Sequence, residues 1–359
     1  MSEKLRQLRD QIDRLDDEML KLVNQRAALA QQIGHLKDDG VILRPEREAR
    51  VLSRLQQQNS GPLGNSAVVS LFTEIISQCR ALEAPLTIAY LGPEGTFSEA
   101  AALKRFGSAI EEQPCATIDE VFRTVASGTV HYGLVPVENS SEGAVGRTLD
   151  LLVNTTLQIC GEVILPIHQC LLVQCPPGQQ CELSAIKTVY SHPQSFGQCQ
   201  GWLNTHLPHA ARIPVASNAE AARLAAENPH SAAIAGVQAA ALFGLKVLAE
   251  NIEDDANNTT RFLVLGNQQV APSGHDKTSL VMSTANRPGA VHDLLVPLAK
   301  HGVSMTKLES RPARSGLWEY VFFMDVEGHQ ADAKVAAALA ELKKVAAFVK
   351  VLGSYPVAV

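Results

Sequence analysis

The chain has 359 residues, enough for two or three domains, and 46% apolar with 19% charged residues describe a packed globular protein rather than a disordered one. A formal net charge of −6 with no Lys/Arg block excludes a dedicated nucleic-acid or membrane-surface binder, so an anionic ligand needs a local site. Met1-Ser2-Glu3-Lys4 runs straight into an amphipathic pattern without the apolar core of a secretory signal, and no apolar run approaches ~18 residues, so a cytoplasmic protein with no membrane contact is expected. Seven cysteines with no C-x-x-C pair read as reduced, mostly buried thiols; neither Cys170, Cys175 and Cys181 nor His206 and His209 have zinc spacing, and no metal is expected.

From Leu5 onward, Leu8, Ile12, Leu15, Met19, Leu22, Leu29 and Ile33 recur at steps of three, four or seven. This predicts one helix over 5–37, about 50 Å long and longer than an isolated domain of this size is wide. Two more helices are expected over 46–58 and 66–82, parted by Asn59-Ser60-Gly61-Pro62 and closed by Ala84-Pro85. The simplest cover for the overlong member is a second copy of the chain, so 1–84 is expected to be an all-α bundle that forms a homodimer.

After Pro85, strand-like runs at 86–91, 132–137, 188–191 and 232–235 alternate with helical ones such as 98–106 and 216–226, an α/β pattern. Strands at 157–165 and 169–174 fall where a chain can leave one lobe for another, so 85–267 is expected to be two-lobed with a cleft. A polar linker at 268–276 precedes strand, helix, strand, strand, helix, strand over 277–357, an α+β ferredoxin-like unit. Strict alternation puts Trp318, Tyr320, Phe322, Met324 and Val326 on one face of its third strand.

Arg26 and Lys37, 11 residues apart, share a helix face, whereas Arg9 is about 25 Å further along the axis, so only an antiparallel partner helix brings the three together. Arg9-x-x-Ile12-x-x-Leu15-Asp16, Arg26, Lys37 and Arg47-Glu48 resemble the all-helical chorismate mutases over the first 85 or so residues. The resemblance implies that Arg9 of a partner and Arg26 grip carboxylates of chorismate, Lys37 its ether oxygen and Glu48 its ring hydroxyl, with Arg47 a further anion contact. A Claisen rearrangement needs no nucleophile, only a folded substrate and cationic donors at the oxygen that gains charge. Two positions depart from the family: Glu83 stands where many members have a donating Gln, and Arg44 where some have Asp. An ionised Glu83 accepts but cannot donate, which implies mutase activity that rises as pH falls.

Leu91-Gly92-Pro93-Glu94-Gly95-Thr96-Phe97-Ser98 links a strand to a helix but lacks the third glycine of a dinucleotide loop; a carboxylate at the helix N-terminus is the more economical reading. Val137-Glu138-Asn139-Ser140 and Ser191-His192-Pro193-Gln194 put polar residues after strands, as ligand contacts or as caps. With Thr259-Thr260-Arg261-Phe262, these runs resemble prephenate dehydratases across 85–266. The resemblance implies two lobes, as in periplasmic binding proteins, with Thr96, Glu138, Asn139, Ser140, Ser191, His192, Gln198, Thr260 and Arg261 around a prephenate site. Thr260 would donate to or relay a proton to the departing hydroxyl, Glu138 or His192 would supply it, and Arg261 would hold a carboxylate, with a structural salt bridge as its alternative. No cofactor is implied.

Arg287-Pro288-Gly289-Ala290-Val291 and Glu309-Ser310-Arg311-Pro312 resemble the ligand motifs of ACT domains, which implies feedback binding of L-phenylalanine between paired units. Two other readings predict different behaviour: a monofunctional dehydratase with helices that only dimerise, and an amino-acid sensor that binds without turnover.

Overall fold

The computed structural model describes residues 3–36, 41–176, 178, 181–285, 287–312 and 320–358. The N-terminal unit is helical: α1 (Glu3–Leu36), α2 (Pro45–Gln58) and α3 (Asn65–Ala81). Pro45 opens α2, where a missing N–H is harmless and a fixed φ suits the first turn. Along α1, residues 3–25 are exposed, and partial burial is confined to Arg26, Ala27, Ala30 and Gly34, where the helix passes α3. Leu15, Met19, Leu22 and Leu29 remain about 60% exposed, so the apolar stripe read from the sequence has no cover among the described residues of one chain.

The central unit begins with β1 (Thr87–Leu91), α4 (Phe97–Phe106), β2 (Glu111–Cys115), α5 (Ile118–Ala126), β3 (Tyr132–Asn139), β4 (Gly143–Ala144), α6 (Gly146–Asn154) and β5 (Gln158–Pro166). The chain then builds a second lobe from β6 (Cys170–Val173), β7 (Thr188–Ser191), α7 (Pro193–Gln198), α8 (Gln200–His206), β8 (Ala211–Pro214), α9 (Asn218–Glu227), β9 (Ser231–Ala235), α10 (Val237–Phe243) and β10 (Lys246–Ala249). It returns as β11 (Thr259–Gly266), which enters the first sheet between β3 and β5, antiparallel to both. The sheet orders are β2-β1-β3-β11-β5, with β4 beside β3, and β10-β6-β9-β7-β8. The two-lobed expectation holds, and the lobes join at the ends of β5 and β11. The interior of β1 is fully buried at Ile88, Ala89 and Tyr90, as expected of a strand covered on both faces.

The last unit is β12 (Asp276–Ser283), α11 (Ala290–His301), β13 (Met305–Pro312), β14 (Tyr320–Glu327), α12 (Ala333–Val345) and β15 (Phe348–Pro356), an antiparallel sheet in the ferredoxin-like order β13-β14-β12-β15. Its alternation is two-sided. Phe322, Met324 and Val326 of β14 pack with Leu294, Leu298 and Leu339 under the helices, whereas Phe323 joins Leu149, Leu152 and Leu263 of the first lobe. Tyr320 is exposed, and Trp318 lies outside the described residues. The sheet therefore has no solvent face over its centre, because one side rests on the α/β domain.

One expectation is corrected. Cys175 and Cys181, six residues apart in sequence, are joined as a disulfide rather than left as reduced thiols, their Cα atoms lying 6.0 Å apart, within the reach of such a bond. Cys79, Cys115, Cys160, Cys170 and Cys199 are free and buried. Among the described residues no His/Cys/Asp/Glu group is placed to hold a metal ion, and no helix is long and apolar enough to cross a membrane.

Candidate active sites

A cavity of about 450 Å³ lies among the three N-terminal helices. Among the described residues its charged lining is Arg26, Arg44, Arg47, Arg80, Glu48 and Glu83, four guanidinium groups against two carboxylates. Arg26 comes from the partly buried stretch of α1. Arg44 and Arg47 flank the start of α2, and Arg80 and Glu83 lie at the end of α3. Arg80 was not anticipated from the sequence. It is 5% exposed, donates through one terminal nitrogen to Glu48 Oε1 at 2.7 Å and through the other to Phe106 O at 2.6 Å, and its Nε has no partner. Burial pulls the Arg80 guanidinium below its ordinary pKa, partly offset by Glu48. Of the expected mutase residues, Arg26, Arg47, Glu48 and Glu83 share this cavity; Arg9 lies far up the exposed part of α1, and Lys37 lies outside the described residues.

A second cavity, about 330 Å³, sits where the two lobes meet. Thr96, Asn139, His192, Gln198 and Thr260 line it as the sequence led one to expect. Gln169, Ser195 and Asn218, which the sequence reading missed, line it too. Among the described residues lining it there is no Asp, Glu, Lys or Arg. The starts of α4, α7 and α9 open onto it through Phe97 and Ser98, Gln194 and Ser195, and Ser217 and Asn218. Asn139 Nδ2 donates to Thr260 Oγ1 at 2.9 Å and to Asn258 Oδ1 at 2.9 Å, while its Oδ1 accepts from the amides of Ser141 and Glu142. With its oxygen taken as an acceptor by Asn139, the Thr260 hydroxyl keeps its proton for a ligand. Asn218 ties the second lobe together: Oδ1 accepts from Ser191 Oγ at 3.2 Å and from the His192 amide at 3.1 Å, and Nδ2 donates to Ser195 Oγ at 2.8 Å. His192 Nδ1 accepts from the Gln194 amide at 3.3 Å, so the ring proton of the neutral form belongs on Nε2. Gln169 donates to Ser195 and Gln198 at 3.2 Å each, and its buried Oε1 is unpartnered.

Four residues expected in this cleft are not among its lining. The reason is the two-residue period of a strand. Asn139 pairs with Thr260 and Glu138 with Arg261 across β3 and β11, so the first couple faces the cleft and the second faces the opposite side. Glu138 receives Lys307 of β13 at 2.6 Å instead. Arg261 is bound to Glu162 at 2.7 Å, Asp325 at 2.6 Å and the Tyr355 hydroxyl at 2.9 Å, which is the structural salt bridge rather than a carboxylate grip. Burial alone would lower the Arg261 pKa, but Tyr355, Asp325 and Glu162 more than offset it and hold the group charged. Ser191 is fully buried beneath the cleft, and exposed Ser140 accepts from the Thr259 amide at 3.0 Å, fastening the loop after β3 to β11.

The expected effector residues fall on two elements of the ferredoxin-like unit. Gly289, with φ 78°, caps α11, followed by buried Ala290 and exposed Val291. Glu309, Ser310, Arg311 and Pro312 end the edge strand β13, where alternation again divides the motif. Ser310 and Pro312 are exposed, whereas Arg311 turns to the α/β domain and meets Asp150 of α6 at 3.2 Å.

A cation-rich helical pocket, an uncharged cleft between two α/β lobes and a ferredoxin-like unit docked beneath that cleft define a multidomain enzyme with two separate small-molecule sites. Residues 8–84 match the chorismate mutase type II family, 88–270 the prephenate dehydratase family and 278–344 the ACT domain. The bifunctional chorismate mutase/prephenate dehydratase of Neisseria gonorrhoeae is 54% identical over 98% of this chain and 96% of its own, and that of Pseudomonas aeruginosa is 50% identical over 99% of each. A crystal structure of prephenate dehydratase from Arthrobacter aurescens in complex with L-Phe covers 76% of this chain and 90% of its own, at TM-score 0.69 and 37% identity. The chain belongs to the bifunctional chorismate mutase/prephenate dehydratases; it carries both the isomerase and the lyase, together with an ACT domain.

Proposed function

We propose that chorismate rearranges to prephenate in the helical cavity, and that prephenate loses CO2 and water to give phenylpyruvate in the interlobe cleft. The observation that carries this assignment is the presence of two separate cavities, one within each enzyme-family segment, with linings suited to the two reactions. In the first, the cation excess of two suits a dianion: Arg26, Arg47 and Arg80 hold carboxylates, and Glu48 accepts from the ring hydroxyl. Arg9 of a second copy and Lys37 complete the grip, Lys37 at the ether oxygen that gains charge as the C–O bond breaks. The bare stripe of α1 supports a homodimer, since burying each large apolar side chain contributes about 1.5–3 kcal/mol.

In the cleft, the free N–H groups at the starts of α4 and α9 receive prephenate's carboxylates, helped by the amide N–H of Gln198, which Gln169 holds by its oxygen. The C–CO2 bond breaks, its electron pair enters the ring, and the C4 hydroxyl departs. Thr260 donates a hydrogen bond to that hydroxyl, and His192 in its imidazolium form, protonated from solvent, supplies the proton that makes it water. Asn139 orients Thr260. L-Phenylalanine binds the ACT unit at Gly289, Ala290, Val291, Glu309, Ser310 and Pro312 and lowers dehydratase turnover. Supporting this, Lys307 and Asp325 of that unit grip Glu138 and Arg261, neighbours of Asn139 and Thr260 on the same strands. A cytoplasmic location accords with the metabolites handled. The test is to supply chorismate and follow prephenate and phenylpyruvate with and without phenylalanine. Successive appearance of both, with phenylalanine suppressing the second, is expected; ligand binding without turnover, or phenylpyruvate formation indifferent to phenylalanine, contradicts the reading.

A further inference from the structure

Glu48 lines the mutase cavity, yet its second carboxylate oxygen is held from outside the helical domain. Oε1 receives Arg80 at 2.7 Å, and Oε2 receives Arg105 at 3.0 Å. Arg105 belongs to the last turn of α4, the helix whose first turn opens onto the dehydratase cleft. It does not itself line the mutase cavity; it stands behind Glu48, 18% exposed, with its guanidinium over the Phe106 ring. The approach is fixed from both domains. Arg80 of α3 donates to Phe106 O at the end of α4, and Ser77 Oγ accepts from the Ala109 amide at 3.1 Å. Glu74 accepts from the Ser108 amide at 2.9 Å. The seam between the two enzyme domains therefore ends on a carboxylate of the mutase cavity.

We propose that Arg105 is a positioning residue for the mutase reaction, so that the dehydratase domain completes the mutase site. A carboxylate clamped by one arginine retains rotation about its last bond, whereas two arginines on different oxygens fix its plane and the direction of its remaining lone pairs. The proposal rests on the reading of Glu48 as a substrate contact, and the experiment separates the two.

Steady-state kinetics are measured on the full-length chain for Arg105→Ala, Arg105→Lys, Glu48→Gln and Glu48→Gln/Arg105→Ala, with chorismate and prephenate supplied in separate assays. Arg105→Ala should lower mutase kcat/KM about tenfold, the size of one charge-assisted hydrogen bond. Arg105→Lys should recover most of this, and dehydratase turnover should stay near that of the unaltered chain. In the Glu48→Gln background, removing Arg105 should produce little further loss, because the group it positions is gone. Equal loss from Arg105→Ala in both backgrounds, parallel loss of both activities, or no mutase loss while Glu48→Gln is impaired would each overturn the proposal. A Glu48→Gln chain with undiminished mutase activity would instead sink the underlying reading of Glu48.

Discussion

The two cavities, on the reading proposed above, hold closely related dianions with opposite means. Among the described residues the helical pocket is lined by four arginines and two glutamates, while the interlobe cleft has hydroxyls, amides and three helix starts in place of charged side chains. The reactions explain the contrast. A Claisen rearrangement leaves both carboxylates ionised throughout, so fixed cations bind them without penalty and one at the ether oxygen favours the transition state. The dehydratase must turn a carboxylate into neutral CO2. A tight ion pair there would stabilise the substrate more than the transition state and raise the barrier. Backbone and amide donors bind such a group while losing less as its charge drains away.

That contrast can be broken most severely at Thr260. Thr260→Val keeps the shape of the side chain, removes the hydroxyl proposed to donate to the leaving group and should lower dehydratase kcat by about 100-fold or more, with mutase kinetics unchanged. Near-normal turnover in a folded variant would remove Thr260 from the chemistry. A smaller effect in the opposite direction is expected at Glu83, a carboxylate in the pocket where a donor suits the developing charge. Glu83→Gln should raise mutase kcat about threefold to tenfold at neutral pH, as one gained donor would, and a fall would show that the carboxylate is needed as it stands.

The smallest effect concerns the seam between the regions. Hydrogen bonds from Ser108 and Gln78 hold the Glu74 carboxyl below its ordinary 4.5. A group depressed in the folded state stabilises it fully above the ordinary value and loses that contribution as pH falls through the lowered one. Thermal unfolding of the parent chain and Glu74→Gln should therefore differ by a few degrees at neutral pH and converge as pH falls below the lowered value. A gap independent of pH would rule out this linkage.

The sequence carried most of the fold and about half of each cavity, and the split follows from where information is local. Periodicity revealed α1 and the strands of all three units because burial repeats along one element. The motifs around Asn139 and Thr260 were legible, but Glu138 and Arg261 were grouped with them although a strand's alternation already separates neighbours. The same alternation divided Ser310 from Arg311. Arg80, Arg105, Gln169 and Asn218 carried no such signal, since each acts through a partner on a distant element: Glu48 for both arginines, Ser195 for the two amides. The Cys175–Cys181 bond was equally hidden, since it depends on the 6.0 Å approach of two Cα atoms that spacing alone does not reveal.

On this reading one chain runs two reactions in two separate sites. Its most direct test pairs Thr260→Val with Arg26→Ala and gives each variant chorismate and prephenate in turn. Thr260→Val should convert chorismate and accumulate prephenate, while Arg26→Ala should fail on chorismate yet make phenylpyruvate from supplied prephenate at the normal rate. If either substitution, in a folded chain, silenced both steps together, the two-site account would be contradicted.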